Sequence, residues 1–173
     1  DSYTGKVSIV AHSMGGLLGK ALIKELEGAG KAHLVDSFVM VGTPQLGTPQ
    51  AAAALLHGDD EGIVGGLIVN RSDVRTIAQN MQSAYDLLPS REYFNDVTDP
   101  VITFNAGASF TEEWRNYWGP AINNYVDFFE FITGGGVARL EPHPQTLRIP
   151  EVLRPELVTS ADTFHTEFDN YVF

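Results

Sequence analysis

The sequence contains no cysteine in 173 residues. Disulfides and thiolate-bound metals are therefore excluded as supports for the fold. Positive charge is also scarce: 11 Lys and Arg stand against 22 Asp and Glu, a net charge of −11. With no cluster of Lys or Arg, this balance argues against nucleic acid as a partner. No apolar run approaches the roughly 18 residues of a membrane span, and no secretory leader pattern is present. There is no initiator Met either. The chain opens Asp1-Ser2-Tyr3-Thr4-Gly5-Lys6 and runs straight into a buried-type strand, so it reads as a piece of a longer protein. What is present is ordinary globular material, with 43% hydrophobic and 19% charged residues. That composition suits about one domain with a core of its own.

The first regular pattern is an apolar strand, Val7, Ile9 and Val10 with Ser8 between. From Met14 to Leu26 the period becomes helical. Leu17, Leu18, Ala21, Leu22 and Leu26 share a face, and Lys20, Lys24 and Glu27 lie mostly off it. Gly28-Ala29-Gly30 ends that helix, and residues 35–41 (VDSFVMV) form a second strand. Strand, helix, strand in this space is a βαβ unit with a parallel pair, hence an α/β fold. Beyond residue 45 the pattern is mostly helical. Thr48 or Pro49 opens a helix closed by His57-Gly58, residues 74–88 predict one helix ending at Pro89, and 101–104 predict a strand. Residues 111–118 and 122–132 are aromatic-rich helices. Gly134-Gly135-Gly136 is a break, 141–155 a proline-rich loop, and 161–171 a last helix opened by Ser160. The division expected is 1–45 as α/β core and 46–173 as one helical insertion.

Ala11-His12-Ser13-Met14-Gly15 joins the first strand to its helix. A serine at that junction can stand clear of the sheet on a strained turn, as a nucleophile elbow requires. Ala11 and Gly15 are small at the two positions where neighbouring backbone must approach, and Gly16 lets the helix lie close to the strand. The helix begins right after Ser13, so its N–H groups and dipole favour developing negative charge there. Ser13 is the expected nucleophile, and the Met14 N–H one oxyanion donor. A small-x-Ser-x-Gly match alone arises by chance; the strand before and helix after give this one its weight.

A serine needs a base. His12 adjoins Ser13 and reads as a packing residue, His33 as an exposed turn residue, and His57 as favourable charge at a helix end. His143 sits between prolines. His165 precedes Asp169 by four residues, a spacing typical of a local surface pair. If the chain held a whole triad, His165 or His143 would serve.

IVAHSMGG, followed by VGTPQLGTPQA, resembles the α/β-hydrolase-fold lipases, and more closely their lecithin–cholesterol acyltransferase-like group. NMQSAYDLLPSREYF resembles a cap stretch of that group, with Gln82 where proline is usual, and ADTFHTEFDNY resembles a cap helix. The resemblance implies a partial α/β-hydrolase fold with a helical cap or lid. Its acidic and basic triad members would lie outside this chain, and His165 and Asp169 would be cap residues. It implies a serine hydrolase or acyltransferase acting on lipid esters through an acyl-enzyme on Ser13, with no metal and no cofactor. A lipid or ester is the partner, with transient lipid-surface contact through the cap, and a secreted or membrane-peripheral setting would suit it. Leu55, Leu56, Ile63, Val64, Leu67 and Ile68 could form an apolar cover, although for any one of them a place in the cap's own small core is the favoured expectation. The aromatics Trp114, Tyr117, Trp118, Tyr125, Phe128, Phe129 and Phe131 are further candidates, unless these residues are the cap's own core. Two alternatives stay open: an esterase, thioesterase or amidase with the same elbow, and a non-catalytic hydrolase-fold binding module.

Overall fold

Val7–His12 (β1) and Val35–Val41 (β2) pair in parallel in the computed structural model. That structure describes residues 2–58, 71–138 and 149–172. The expected cover residues Ile63, Val64, Leu67 and Ile68, and His143, lie outside the described residues. The register runs from Val7 opposite Val35 to His12 opposite Val41, with one irregularity between Val7 and Ser8. There the Ser37 hydroxyl donates to Ser8 Oγ at 2.8 Å. Between the strands runs α1 (Gly15–Gly28), followed by a 3-10 turn, Ala32–Leu34. This is the α/β unit expected from the alternation of patterns.

The buried face of α1 is not the expected leucine stripe. Gly16, Leu17, Gly19, Lys20 and Ile23 are buried, while Leu18 and Leu22 are exposed. The physical reason is contact geometry. At Gly16 a Cβ would stand 2.0 Å from Thr43 Oγ1, and at Gly19 one would stand 2.4 Å from Phe38 Cζ. The helix can lie this close to β2 only where it has no side chains. Gly15 is under less constraint, since its nearest neighbour would be Ala11 Cβ at an ordinary 3.7 Å.

The remaining elements are α2 (Pro49–His57), α3 (Arg71–Ala78), α4 (Gln82–Tyr85), α5 (Arg91–Asp96), β3 (Ile102–Thr103), α6 (Glu112–Trp118), β4 (Ala121–Ile122), α7 (Tyr125–Ile132) and α8 (Pro155–Phe168). β3 and β4 pair antiparallel. Helix α2 has the expected ends: Thr48 is the N-cap, Pro49 is in the first turn, and Gly58 closes the helix in the left-handed conformation. The single helix expected over 74–88 is two. The break is satisfied locally, because Asn80 Nδ2 donates to Thr76 O and the Tyr85 hydroxyl to Gln79 O. Similarly, 122–132 divides into β4 and α7, with Asn124 capping the helix through Asp127 N. Helix α8 begins at Pro155 rather than near Ser160, since a proline suits a first helical turn.

Leu55, Leu56, Tyr85, Trp114, Trp118, Phe128 and Phe131 are all buried in one apolar cluster. Leu55 and Leu56, and four of the aromatics proposed as a cover, are therefore core. Phe131 meets Phe104, Trp114 and Trp118 at ring separations of 5.3 to 5.5 Å. Full burial of each such ring is worth about 1.5–3 kcal/mol. Among the described residues no helix is long and apolar enough to cross a membrane.

Candidate active site

Strand β1 ends at His12, and the next residue adopts φ +54°. Ser13 is the one non-glycine residue at positive φ among those described. An L-residue in this region costs about 1–2 kcal/mol, because its Cβ crowds the backbone. The turn holds because both of its ends are anchored. Ser13 N–H donates to Val41 O across the sheet at 2.9 Å, and Ser13 O accepts from Gly16 N–H at 3.0 Å. The chain is thereby reversed from strand into helix with Ser13 exposed at the bend. The Met14 N–H finds no partner among the described residues, so it remains a free donor beside the serine.

Ser13, Met14 and Gly15 form one side of a cleft of about 890 Å³. Gly42, Thr43 and Pro44 come from the end of β2, Thr48 and Gln50 from the start of α2, and Leu87 from the turn after α4. His12 also lines it and is exposed, not packed as expected.

Residues 1–130 match the family model described as lecithin:cholesterol acyltransferase. The chain belongs to this family. No curated protein and no solved structure matches it. Membership makes the lecithin:cholesterol acyltransferase-family chain a lipid-acting acyltransferase or hydrolase in the broad sense, with lipid as its substrate class.

The far wall of the family chain's cleft is built by close backbone approach. At Gly47 (φ +81°) a Cβ would sit 2.1 Å from Leu88 O, so only glycine fits. Thr48 N–H donates to Leu87 O at 2.8 Å, and Ser90 N–H to Leu46 O at 3.0 Å. The GTPQLGTPQ loop and the LLPS stretch, far apart in sequence, are thus one unit. Nothing in the local pattern marks Thr43, Thr48, Gln50 and Leu87 as cleft residues; Gly47 is the one available signal. Thr43 Oγ1 is buried against α1 with no partner among the described residues.

His165 pairs with Asp169 at 2.6 Å as the spacing suggested, but the pair is buried, not superficial. Its Nδ1 faces Asp169 Oδ1, and its Nε2 donates to Asp86 O at 2.9 Å. With both nitrogens engaged, His165 has none to offer Ser13. His33 is exposed as expected, and His57 ends α2 beside a second cavity. Burial pushes the Lys20 ammonium below its ordinary range, against the opposing pull of Asp169. Burial also raises Asp86, although its hydrogen bond from Gln82 and the charge of His165 resist the shift. Among the described residues no group of three His, Asp or Glu converges as a metal site requires.

The second cavity, about 920 Å³, is lined largely by apolar residues that include Ala52, Ala53, Leu56, Ile102, Phe104 and Trp114. Pro49 lines it, while Pro49's neighbours Thr48 and Gln50 line the Ser13 cleft.

Proposed function

We propose that Ser13 is the nucleophile of an α/β-hydrolase-type enzyme that cleaves or transfers the acyl group of a lipid ester. Residues 1–45 act as part of the catalytic core and 46–173 as its cap. The observation that carries this reading is the left-handed turn at Ser13, which opens onto a cleft beside a free N–H. Strain of this kind persists only where surrounding contacts enforce it, and it clusters at active sites.

In the proposed mechanism Ser13 Oγ bonds to the ester carbonyl carbon as a base removes its proton. The Met14 N–H supports the resulting oxyanion; one such donor is worth about 10²–10³ in rate. The carbonyl reforms, the C–O bond to the leaving alcohol breaks, and the base returns the proton to that oxygen. Water or an acceptor hydroxyl then repeats the sequence on the acyl-enzyme. Both nitrogens of His165 are engaged, so this reading takes the base and its acidic partner from elsewhere in the full-length protein. The neighbouring apolar cavity, whose wall includes Pro49 between the cleft residues Thr48 and Gln50, supports a long acyl chain as the group transferred, since its volume falls within the roughly 300–1,000 Å³ of ordinary ligand pockets. Transient contact with a lipid surface falls to Tyr117 and Val126, which stay exposed on α6 and α7.

The test is labelling of the full-length protein with a fluorophosphonate probe. Labelling abolished by Ser13→Ala supports the mechanism. Absence of labelling, or labelling that survives the substitution, refutes it. A series of esters of increasing acyl length separates the lipid reading from a short-chain esterase.

A further inference from the structure

Lys20 is an unusual residue to bury. Lysine is almost never fully enclosed unless paired, yet only 3% of Lys20 is exposed. It sits on α1, two turns beyond the serine, and its Nζ donates to Phe168 O at 2.9 Å. That carbonyl belongs to the last turn of α8 and also accepts from Tyr171 N–H at 3.1 Å; the ammonium takes its second lone pair and meets the negative end of the helix dipole. One turn along α1, Lys24 lies 2.7 Å from Glu167 and stands over the Phe168 ring. The helix that carries the serine is therefore fastened to the end of α8.

From that end a second tie leads back to the cleft. Asp169 holds His165 Nδ1, and His165 Nε2 donates to the carbonyl of Asp86. Asp86 precedes Leu87, a cleft-wall residue whose own carbonyl holds the N–H of Thr48, another wall residue. The donor logic requires one proton between Nδ1 and Asp169. A carbonyl can only accept, so Nε2 carries a hydrogen; a carboxylate facing a bare Nδ1 would leave two lone pairs opposed. The His165 and Asp169 side chains are 3% and 5% exposed, so water cannot replace either partner cheaply.

We propose that Lys20, Asp169 and His165 form a bracket that sets the separation of the Ser13 turn from the Leu87–Thr48 wall, and that as positioning residues they govern how well a long acyl chain is aligned at the serine. This rests on Ser13 being the nucleophile. A misplacement of an ångström far from the reacting atoms costs about 100-fold. A small electrophile needs only Ser13, its base and the Met14 N–H, whereas a long chain needs the wall as well.

The experiment compares labelling rates of full-length protein with a short-chain and a hexadecyl fluorophosphonate. It uses Lys20→Met, Lys20→Arg, Asp169→Ala and Asp169→Asn, and reads hydrogen exchange at the Thr48 amide in parallel. Lys20→Met and Asp169→Ala should lower the long-to-short rate ratio by about 10-fold or more and speed Thr48 exchange. Lys20→Arg and Asp169→Asn, which keep the hydrogen bonds, should restore both. Equal loss with both probes in step with a lowered melting temperature, or an unchanged ratio and exchange rate, overturns the bracket. If wild type fails to label while Thr48 exchange still responds to Lys20→Met, the bracket holds the wall but the nucleophile reading fails, and its role in acyl alignment falls with it.

Discussion

Gly16 is the position where a single methyl group tests the architecture of the site most directly. A Cβ there would lie 2.0 Å from Thr43 Oγ1, 2.6 Å from Cγ2 and 2.8 Å from Cβ. Ordinary carbon contacts are about 3.5–4.0 Å. Rotating Thr43 moves Oγ1 and Cγ2 but leaves its Cβ in place, so at least about 0.7 Å of backbone movement is needed. Overpacking of this kind costs about 1–3 kcal/mol, offset by at most about 1 kcal/mol of helix propensity gained on replacing glycine. Gly15→Ala makes the same propensity change but meets Ala11 at 3.7 Å, an ordinary contact. The two alanine variants should therefore differ by about 2 kcal/mol, or about 4–8 °C in melting temperature for a chain of this size. Differential scanning calorimetry of the pair reads this directly. In the same movement α1 lifts from β2 and carries Met14 with it, so Gly16→Ala should slow fluorophosphonate labelling by about 100-fold. If Gly16→Ala melts within about a degree of Gly15→Ala and labels normally, the close approach of α1 to the end of β2 is not what shapes this site.

Ser13→Gly should abolish labelling yet leave the protein about 0.5–1 kcal/mol more stable than Ser13→Ala, because glycine escapes the left-handed strain that alanine retains; urea melts compare them. Leu55→Ala should cost about 2–5 kcal/mol as a buried core truncation, whereas a residue of a mobile cover would change activity with little loss of stability. Burial raises the Asp86 carboxyl, so its stabilising contribution is complete below 3.8 and is lost as pH rises through its folded-state value. Asp86→Asn should accordingly stabilise the protein at neutral pH and flatten its pH–stability curve just above 3.8, as read by melts across a pH series.

Structure is legible in the sequence where the chain obeys local rules. The β1–α1–β2 alternation, the Thr48 cap, the closing Gly58 and the strand over Val35–Val41 follow from propensity and capping between near neighbours. The turn at Ser13 was legible too, because a small-residue pattern between an apolar strand and a helix has few other uses. The buried face of α1 was not legible. Period alone favoured Leu18 and Leu22, and nothing nearby in sequence revealed that Gly16 and Gly19 would be pressed against Thr43 and Phe38. The helix break after Ala78 is hidden for a similar reason: its freed carbonyls are satisfied by side chains about a turn away, and apolar spacing does not register that.

By itself the sequence determined the chemistry on offer: a serine at the tip of a strand, no thiol, little positive charge, and family membership written across residues 1–130. Tertiary structure alone decided which residues surround that serine. Leu87 and Thr48 meet in the far wall of its cleft, and Lys20 on the serine's own helix is tied to the carbonyl of Phe168, 148 residues away in sequence. Such pairings depend on how helices settle against one another in space. A hydrogen bond between distant segments leaves no periodicity for either segment to display.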